Sequence, residues 1–248
     1  MSNTLCIDWG NTQVKAALFN EENKIVSVKN FNGTEVIPQL QDLMNTWQPK
    51  AGVFCAVTNN TQEAEQLLNE NLSKFIRLDT NTYLPIMNAY STPETLGTDR
   101  LAIAVGAQAA FPNTNVLAIS IGTCITYNFI QKNKAFRGGA ISPGLRMRLR
   151  SMHEWTDKLP VVEPEGEVLL LGYDTATSMR SGAIYGMASE IDGMIAAFEA
   201  QYPDFNAVLT GGDAPLFANK LKSKIFADPD LLLKGLNLIL KHNVPILH

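Results

Sequence analysis

The sequence has few of the residue patterns that mark zinc-binding, disulfide-linked or membrane proteins. Its three cysteines, Cys6, Cys55 and Cys124, lie in apolar segments without Cys-x-x-Cys spacing, which argues against a zinc site and a disulfide framework. No stretch approaches the roughly 18 apolar residues that a membrane span needs, and no basic flank precedes an apolar signal core. We therefore expect a soluble protein of the reducing cytoplasm, without a membrane partner.

Clustered positive charge is also scarce. The formal net charge is −4, and the one group of basic residues is Arg146, Arg148 and Arg150, which is more typical of a solvated or interface surface than of a DNA reader. A nucleic-acid partner is therefore not expected. With 248 residues, of which 46% are hydrophobic, the chain is long enough to bury a large core as one domain or two lobes.

The most informative feature is a short motif that occurs twice. Asp8-Trp9-Gly10-Asn11-Thr12 lies between two β-rich segments, and a related motif returns as Ser120-Ile121-Gly122-Thr123-Cys124. Each predicts a hairpin whose glycine lets the backbone approach an anion, while Asn and Thr side chains donate to phosphate oxygens. Either copy alone fits an ordinary glycine-containing hairpin equally well; the pair favours a kinase, with Asp8 placed to hold Mg²⁺ beside the phosphates.

Each half of the chain begins with three strand-like segments and continues with helical and strand-like segments in alternation. This pattern predicts an α/β protein with two duplicated lobes of mixed β-sheet flanked by helices. We place the first lobe at residues 1–112 and the second at residues 113–248, with a helix over residues 101–110 near the boundary. No low-complexity linker separates the lobes, so the cleft between them is the expected ligand site.

Six motifs in order carry a resemblance to a known family. They are Asp8-x-Gly10-Asn11-Thr12; Tyr90 before Gly97-Thr98-Asp99-Arg100; Gly122-Thr123; Gly138-Gly139-x-Ile141-x-Pro143-Gly144-Leu145; Thr175 before Ser181-Gly182; and Thr210-Gly211-Gly212-Asp213-Ala214. Over nearly its whole length the chain closely resembles the type III pantothenate kinases of the actin-like, sugar-kinase-like ATPase superfamily. The resemblance implies a ribonuclease H-like fold in each lobe.

The resemblance implies transfer of the γ-phosphoryl group of ATP to pantothenate, giving 4'-phosphopantothenate in the first step of coenzyme A biosynthesis. It makes Asp99 the proton acceptor and Asp8 the second catalytic carboxylate, with Mg²⁺ as cofactor. By position, the ATP-binding residues are Asp8, Gly10, Asn11, Thr12, Lys15, Gly122, Thr123, Gly211 and Gly212.

The same resemblance implies that Tyr90, Gly97, Thr98, Asp99, Arg100 and Thr175 bind pantothenate. Arg100 offers a forked donor suited to the pantothenate carboxylate, and Thr175 a hydroxyl for its amide end. Taken alone, Asp99-Arg100 is also typical of a helix N-terminus with Asp at the cap. Both interpretations can hold, because a helix start presents free N–H groups to an anion.

Two positions depart from the family pattern. Ser120 stands where relatives often have the Asp that helps to bind a monovalent cation, K⁺ or NH₄⁺, and Asn128 stands where they often have another Asp. A neutral hydroxyl offsets cation charge less well than a carboxylate. We expect loss of the K⁺ requirement; relocation of the ion to backbone carbonyls and a reduced or altered activity are the alternatives.

Other functions stay open at this stage. A sugar kinase or polyphosphate-cleaving phosphatase of the same superfamily would keep the paired hairpins without needing Tyr90 and the 97–100 motif. A non-catalytic protein like the Bvg accessory factors is a third class, against which stand the acidic balance and both retained carboxylates. The resemblance further implies a homodimer, and Gly182, Gly186 and Gly193 in a predicted helix would permit close helix approach.

Overall fold

The chain forms two compact units. A computed structural model describes residues 3–31 and 36–244; the first unit contains the described part of residues 1–112, 133–137 and 230–248, and the second contains residues 113–132 and 138–229. The chain therefore enters the second unit twice, once on each side of the short 133–137 segment. Among the described residues, no helix is both long enough and apolar enough to span a bilayer.

The first unit contains a five-stranded mixed sheet in the order β3-β2-β1-β4-β5. β1 pairs antiparallel with β2 and parallel with β4, so the first strand of the chain lies at the centre. Because both faces are covered, β1 and β4 consist of almost continuous apolar runs. The strands are β1 (Thr4–Trp9), β2 (Val14–Phe19), β3 (Ile25–Phe31), β4 (Ala51–Ala56) and β5 (Lys74–Arg77), and the short β6 (Met87–Asn88) lies outside this sheet.

Helices cover the first sheet because their apolar residues recur every three or four positions. In α1 (Val36–Trp47), the residues Leu40, Leu43 and Met44 are buried in one core with Leu68 of α2 (Gln62–Asn71) and Leu5 of β1. A 3₁₀ turn at Pro93–Thr95 precedes α3 (Thr98–Ala110), seven of whose residues between positions 101 and 107 are buried.

The second unit repeats the antiparallel meander. β7 (Asn115–Ile121) pairs antiparallel with β8 (Cys124–Ile130) and parallel with β10 (Phe205–Thr210), which in turn pairs with β11 (Phe226–Ala227). β9 (Ala135–Pro143) lies beside β8, and its first two residues pair with β6 inside the first unit. Both predicted three-strand meanders are thus confirmed, and in each unit the strand before the glycine turn is central.

The helices of the second unit are α4 (Leu145–Glu154), α5 (Thr175–Gln201) and α6 (Ala214–Ala218). α5 begins six residues before the predicted start at Ser181. The cause is a capping box, in which the Asp174 carboxylate accepts from the Thr177 backbone N–H at 2.7 Å and the Thr177 hydroxyl accepts from the Asp174 backbone N–H at 3.1 Å. Ile184, Met187 and Ile191 of α5 pack into the core of this unit.

The last helix does not belong to the unit in which the predicted lobe boundary at residues 112/113 would place it. α7 (Leu231–Asn243) packs against α3, β1 and β4 and belongs to the first unit. The buried Thr4 hydroxyl donates to the side-chain oxygen of Asn237 at 2.7 Å, which joins the first strand to this helix. α3 and α7 approach closely because small residues face each other, with Ala102 against Gly235.

Candidate active site

Two acidic side chains of the first unit, Asp8 and Asp99, are electrostatically coupled. Asp8 is at the end of β1, where the strand leaves the core, and Asp99 is in the first turn of α3. Burial, and after it the charge of Asp99, raise the pKa of Asp8 to about 7, while the charge of Lys15 opposes the shift. The sequence placed both residues at the catalytic centre, and the structure brings them together.

The carboxyl group of Asp99 is not a helix cap. Gly97 is the N-cap residue of α3, and no side chain caps this helix. Burial raises the pKa of Asp99 above its ordinary value, although the Arg100 backbone N–H and guanidinium act in the opposite direction. The cap interpretation of Asp99 is therefore wrong in detail: the residue lies one position inside the helix, with its carboxyl group in a desolvated environment.

Strand register places two more side chains beside Asp8. Lys15 is opposite Asp8 in the antiparallel β1–β2 pair, and its ammonium lies 2.8 Å from a carboxylate oxygen of Asp230, the residue before α7. Cys55 is opposite Asp8 in the parallel β1–β4 pair, and its sulfur lies 3.3 Å from the Thr98 hydroxyl. Burial, followed by the charges of Asp8 and Asp99, raises the pKa of the Cys55 thiol well above its ordinary value, so this buried group is a neutral packing partner of the α3 start.

The predicted substrate residue Arg100 packs against two neighbouring aromatic rings. It is 5% exposed, and its guanidinium carbon is 5.7 Å from the ring centre of Tyr90 and 5.8 Å from that of Phe136. The rings of Tyr90 and Phe136 are themselves 6.2 Å apart. The two rings contact the guanidinium from neighbouring directions and restrict how the group can turn, which suits a forked carboxylate receptor. Phe136 had no signal in the sequence, because it comes from the strand that pairs with the short β6.

The first glycine turn connects β1 to β2 and contains Gly10, Asn11 and Thr12. The Gly10 N–H donates to the Gln13 carbonyl at 3.0 Å and closes the turn. Asn11 and Thr12 are exposed at its tip, so their side chains and N–H groups are available to a ligand. The hairpin itself is confirmed, since β1 and β2 pair from Thr4–Phe19 to Trp9–Val14.

The second glycine turn, residues 121–123 between β7 and β8, is closed by a hydrogen bond from the Gly122 N–H to the Cys124 carbonyl at 3.0 Å. On one side it meets Gly211, whose φ is +97° and whose added Cβ would lie 2.6 Å from the Ile121 nitrogen. Only glycine combines this left-handed backbone with so close an approach. Gly212 faces open space within this unit. Gly122, Thr123 and Gly211 are thus assembled around one turn.

On its other side the same turn meets Gly144. The Gly144 N–H donates to the Thr123 carbonyl at 3.1 Å, and a Cβ on Gly144 would lie 2.6 Å from that carbonyl oxygen. Ser120 is opposite Thr126 of β8 and Thr210 of β10. Its neighbours in the sheet are therefore hydroxyl side chains.

Thr175 lies apart from the second glycine turn, at the start of α5. It is exposed and lines an open cavity of about 530 Å³ together with Met152, Tyr173 and Ser178. The structure thus brings the predicted residues into three groups: Asp8, Lys15, Thr98, Asp99, Arg100 and Tyr90 in the first unit, Ser120, Gly122, Thr123 and Gly211 in the second, and Thr175 in its own cavity.

Comparisons with known proteins agree on one family. The family profile described as "Type III pantothenate kinase" matches residues 4–197. A "Type III pantothenate kinase" of Bacteroides fragilis is 42% identical over 239 residues, which cover 96% of this chain and 98% of that protein.

Solved structures show the fold at lower identity. A Campylobacter jejuni protein assigned to the Baf family of transcriptional activators has a TM-score of 0.60 and 19% identity, covering 98% of this chain and 99% of its own. The inorganic polyphosphate/ATP-glucomannokinase of Arthrobacter sp. strain KM has a TM-score of 0.53 and 13% identity, and all of both chains is covered. At these identities the likeness establishes the architecture of the chain and not its substrate.

Proposed function

The chain belongs to the type III pantothenate kinase family and has the actin-like kinase fold, and we propose that Asp99 takes the hydroxyl proton in its reaction. The enzyme transfers a phosphoryl group from ATP to pantothenate, the first step of coenzyme A biosynthesis. The observation that carries the assignment of Asp99 is its coupling to Asp8 in a desolvated part of the first unit.

Phosphoryl transfer depends mainly on positioning and charge neutralisation, and the attacking hydroxyl must be oriented and deprotonated. Burial raises the pKa of Asp99, which makes its carboxylate a stronger base than an exposed aspartate. The Arg100 backbone N–H donates to the Asp99 carboxylate and restrains the direction of this side chain. A substrate hydroxyl at roughly 2.6–3.2 Å from this carboxylate would donate its proton as the new bond forms.

Asp8 is the residue that would hold Mg²⁺, which supplies charge neutralisation between the phosphate oxygens of ATP. The donor chemistry fits, because Mg²⁺ is usually held by one or two carboxylates together with substrate phosphates. Among the described residues there is no group of three or more acidic, His or Cys side chains that could form an all-protein cage. Asp8 would thus supply one carboxylate ligand of the Mg²⁺ ion, and the phosphate oxygens of the nucleotide would supply others.

Each of the two glycine turns would supply ATP-binding residues. Gly10, Asn11, Thr12 and Lys15 of the first hairpin would contact phosphate oxygens through N–H, amide, hydroxyl and ammonium groups. Gly122 and Thr123 of the second turn would do the same, while Gly211 and Gly212 let the backbone approach the adenosine portion or the α-phosphate. Support comes from the closed turns and from the contact of Gly211 with residue 121.

Arg100 would bind the carboxylate of pantothenate. Its guanidinium is held against two neighbouring rings, and a planar fork matches a carboxylate better than an ammonium does. Tyr90, Gly97 and Thr98 would shape the same pocket. Thr175 would hydrogen-bond the amide end of the substrate from the cavity at the start of α5.

A homodimer is the proposed active form. Support comes from α5, where Gly182, Gly186 and Gly193 are exposed and an added Cβ would meet no other atom of the chain within 4 Å. Such small residues let two helices approach closely. Replacing Gly186 with Trp should shift the protein toward the monomer in size-exclusion chromatography with light scattering, whereas the same change at exposed Glu199 should not.

The enzyme would act in the cytoplasm. All three cysteines are free thiols, Cys6 and Cys55 are buried, and neither is paired with another cysteine. Unpaired thiols in a small protein are typical of a reducing compartment.

Asp99→Asn tests the role of Asp99 directly. The amide keeps the size of the side chain and cannot accept the proton, so kcat should fall by about 10²–10⁴-fold. Binding of ATP, measured by calorimetry, should stay within a few-fold of wild type. Glu94→Asn, at an exposed position just before α3, is the control and should retain kcat. An Asp99→Asn enzyme with wild-type turnover would refute the assignment.

The sugar-kinase, phosphatase and Bvg-accessory-factor alternatives are not favoured, because the relatives that cover nearly the whole chain are named type III pantothenate kinases. A thermal-shift screen with ATP and pantothenate, glucose or polyphosphate discriminates among them. Stabilisation by glucose or polyphosphate and not by pantothenate would contradict the assigned substrate.

A further inference from the structure

Glu190 of α5 joins three elements of the second unit through one carboxylate. One of its oxygens accepts from the Tyr127 hydroxyl of β8 at 2.9 Å. The other accepts from the Ser142 hydroxyl at 3.2 Å and from the Arg148 guanidinium of α4. Ser142 is an unspecified position inside the 138–145 motif, and Glu190, Tyr127 and Arg148 lie outside all the motifs named above.

Arg148 extends this network to the backbone. Its Nη2 also donates to the Ser142 hydroxyl at 2.8 Å, and its Nε donates to the Pro143 carbonyl at 2.8 Å. The guanidinium therefore holds the end of β9 at two consecutive residues while it is itself held by Glu190. The side chains of Arg148 and Glu190 are only 24% and 28% exposed, so solvent screens this ion pair less than a surface pair.

The segment held in this way, residues 142–144, lies directly on the second glycine turn. Gly144 follows Pro143, and its N–H donates to the Thr123 carbonyl at 3.1 Å. Because the turn also contacts Gly211 on its other side, it is enclosed between two backbone segments. A shift of residues 142–144 would therefore remove one of the two walls that fix Gly122 and Thr123.

The hydrogen-bond donors around Glu190 favour the ionised form of its carboxyl group. Burial alone would raise the pKa of Glu190, but the donors Arg148, Tyr127 and Ser142 outweigh burial and hold this pKa below its ordinary value. Glu190 is therefore ionised at neutral pH and remains an acceptor at both oxygens.

We propose that Glu190 is a positioning residue for ATP binding: through Arg148 and Ser142 it holds residues 142–144 against the Gly122–Thr123 turn and so presets that turn for the nucleotide phosphates. The inference rests on the proposed role of Gly122 and Thr123 in binding ATP. The effect of Glu190 is on the affinity for ATP, because preorganising a loop removes the cost of ordering it on binding.

Glu190→Gln is the test. A neutral amide keeps the size of the side chain but cannot form the ion pair with Arg148 while also accepting at both ends. We expect the KM for ATP to rise about tenfold, which corresponds to about 1.4 kcal/mol, with the KM for pantothenate within twofold of wild type. Arg148→Lys should reproduce the change, since an ammonium cannot reach Glu190, Ser142 and the Pro143 carbonyl together.

Tyr127→Phe is the matched control, because it removes the hydrogen bond at the other oxygen of the same carboxylate and leaves residues 142–144 held by Arg148. It should retain the wild-type KM for ATP. Equal rises in Tyr127→Phe and Glu190→Gln would mean a general structural role and would overturn the proposal. A rise confined to the KM for pantothenate would overturn it as well.

Thr123→Val separates this inference from the proposed function. If Thr123→Val raises the KM for ATP and neither Glu190→Gln nor Arg148→Lys does, the positioning role of Glu190 fails and the role of the turn stands. If Thr123→Val leaves the KM for ATP unchanged, the assignment of the turn itself fails. Should Glu190→Gln not fold, as judged by circular dichroism, Arg148→Lys supplies the same comparison.

Discussion

The ammonium group of Lys15 lies 2.8 Å from the carboxylate of Asp230, so the hairpin that carries Asp8 is joined to the start of α7. Both side chains are less than one third exposed. The contact holds Lys15 in place beside the first glycine turn. It also marks the position where the chain returns from the second unit to the first, since residue 230 opens the last segment of the first unit.

Asp230→Asn should therefore raise the KM for ATP several-fold, because the Lys15 ammonium loses the ion pair that positions it. The free energy of unfolding, measured with urea, should fall by about 0.2–1 kcal/mol. Glu22→Gln breaks the solvent-exposed Lys24–Glu22 pair of the same unit and is the control, with no change expected in either quantity. Wild-type values of both quantities in Asp230→Asn would contradict this role.

Stability of the metal-free enzyme should depend on the ionisation of Asp8. Its pKa is about 7 in the folded chain against an ordinary value of 3.8, so the folded state favours the protonated form. The resulting stability is complete below about pH 4 and is lost as pH rises through about 7. In EDTA, Asp8→Asn should thus unfold at higher urea concentration than wild type at pH 8.

The size of this effect is at most about 4 kcal/mol, from roughly three pKa units at 1.36 kcal/mol each. The difference between Asp8→Asn and wild type should shrink steadily as the buffer is taken from pH 8 to pH 4. Asp79→Asn, at an exposed turn, should follow the wild-type curve at every pH. A pH-independent difference between Asp8→Asn and wild type would contradict the assignment of the shift to Asp8.

Arg100→Lys should raise the KM for pantothenate by about tenfold or more, which corresponds to at least about 1.4 kcal/mol, while the KM for ATP stays near wild type. Lysine keeps the charge but loses the planar fork and the stacking on Tyr90 and Phe136. Arg150→Lys, at an exposed pair with Glu154, is the control and should change neither KM. A KM for pantothenate unaffected by Arg100→Lys would exclude Arg100 as its carboxylate receptor.

Gly235→Ala should destabilise the enzyme, contrary to helix propensity. Alanine normally favours a helix interior over glycine by about 1 kcal/mol. Here the added Cβ would lie 2.8 Å from the carbonyl carbon of Ala102, so α7 must move away from α3, at a cost of about 1–3 kcal/mol. Asn69→Ala, at an exposed position of α2, should instead leave stability equal or higher. Urea titration of both variants gives their free energies of unfolding. Equal stability of the two variants would contradict the predicted clash between α7 and α3.

Turnover should not need K⁺. The buried Asn128 uses its amide N–H groups to donate to the Ala118 carbonyl at 3.2 Å and to the Thr126 hydroxyl at 3.0 Å, contacts that a carboxylate could not make as donor. Ser120 offers no charge to a cation. A coupled ADP-release assay in buffer free of Na⁺, K⁺ and NH₄⁺ tests this, and strong activation by added K⁺ would count against it. The Ser120→Asp, Asn128→Asp double variant should be more responsive to K⁺ than wild type.

The strands and the two glycine turns could be predicted because their signals are local: apolar residues, a glycine and a polar tip follow one another within about a dozen residues. Helix boundaries were harder to predict from the sequence. The start of α5 depends on Asp174 and Thr177, which form a less familiar capping pair than Ser with Glu. α4 was missed because Arg146, Arg148 and Arg150 obscure the helical spacing of its two buried residues, Leu145 and Leu149.

The sequence contained no signal for contacts between segments that are far apart along the chain. The Cys55–Thr98 contact depends on the packing of α3 against β4, and the position of Phe136 beside Arg100 depends on pairing between β6 and β9. The network around Glu190 joins residues up to 63 positions apart. A single sequence contains no information on which of many polar residues will meet over such separations.

The sequence by itself determined the duplicated plan, the two glycine turns and the family, because these rest on short ordered motifs. Only the tertiary structure decided that α7 completes the first unit, that Asp8 and Asp99 share a desolvated environment, and that Glu190 holds the chain beside Thr123. The physical reason is that burial and charge coupling arise from packing between remote segments, and the energy of a carboxylate depends on what surrounds it and not on its neighbours along the chain.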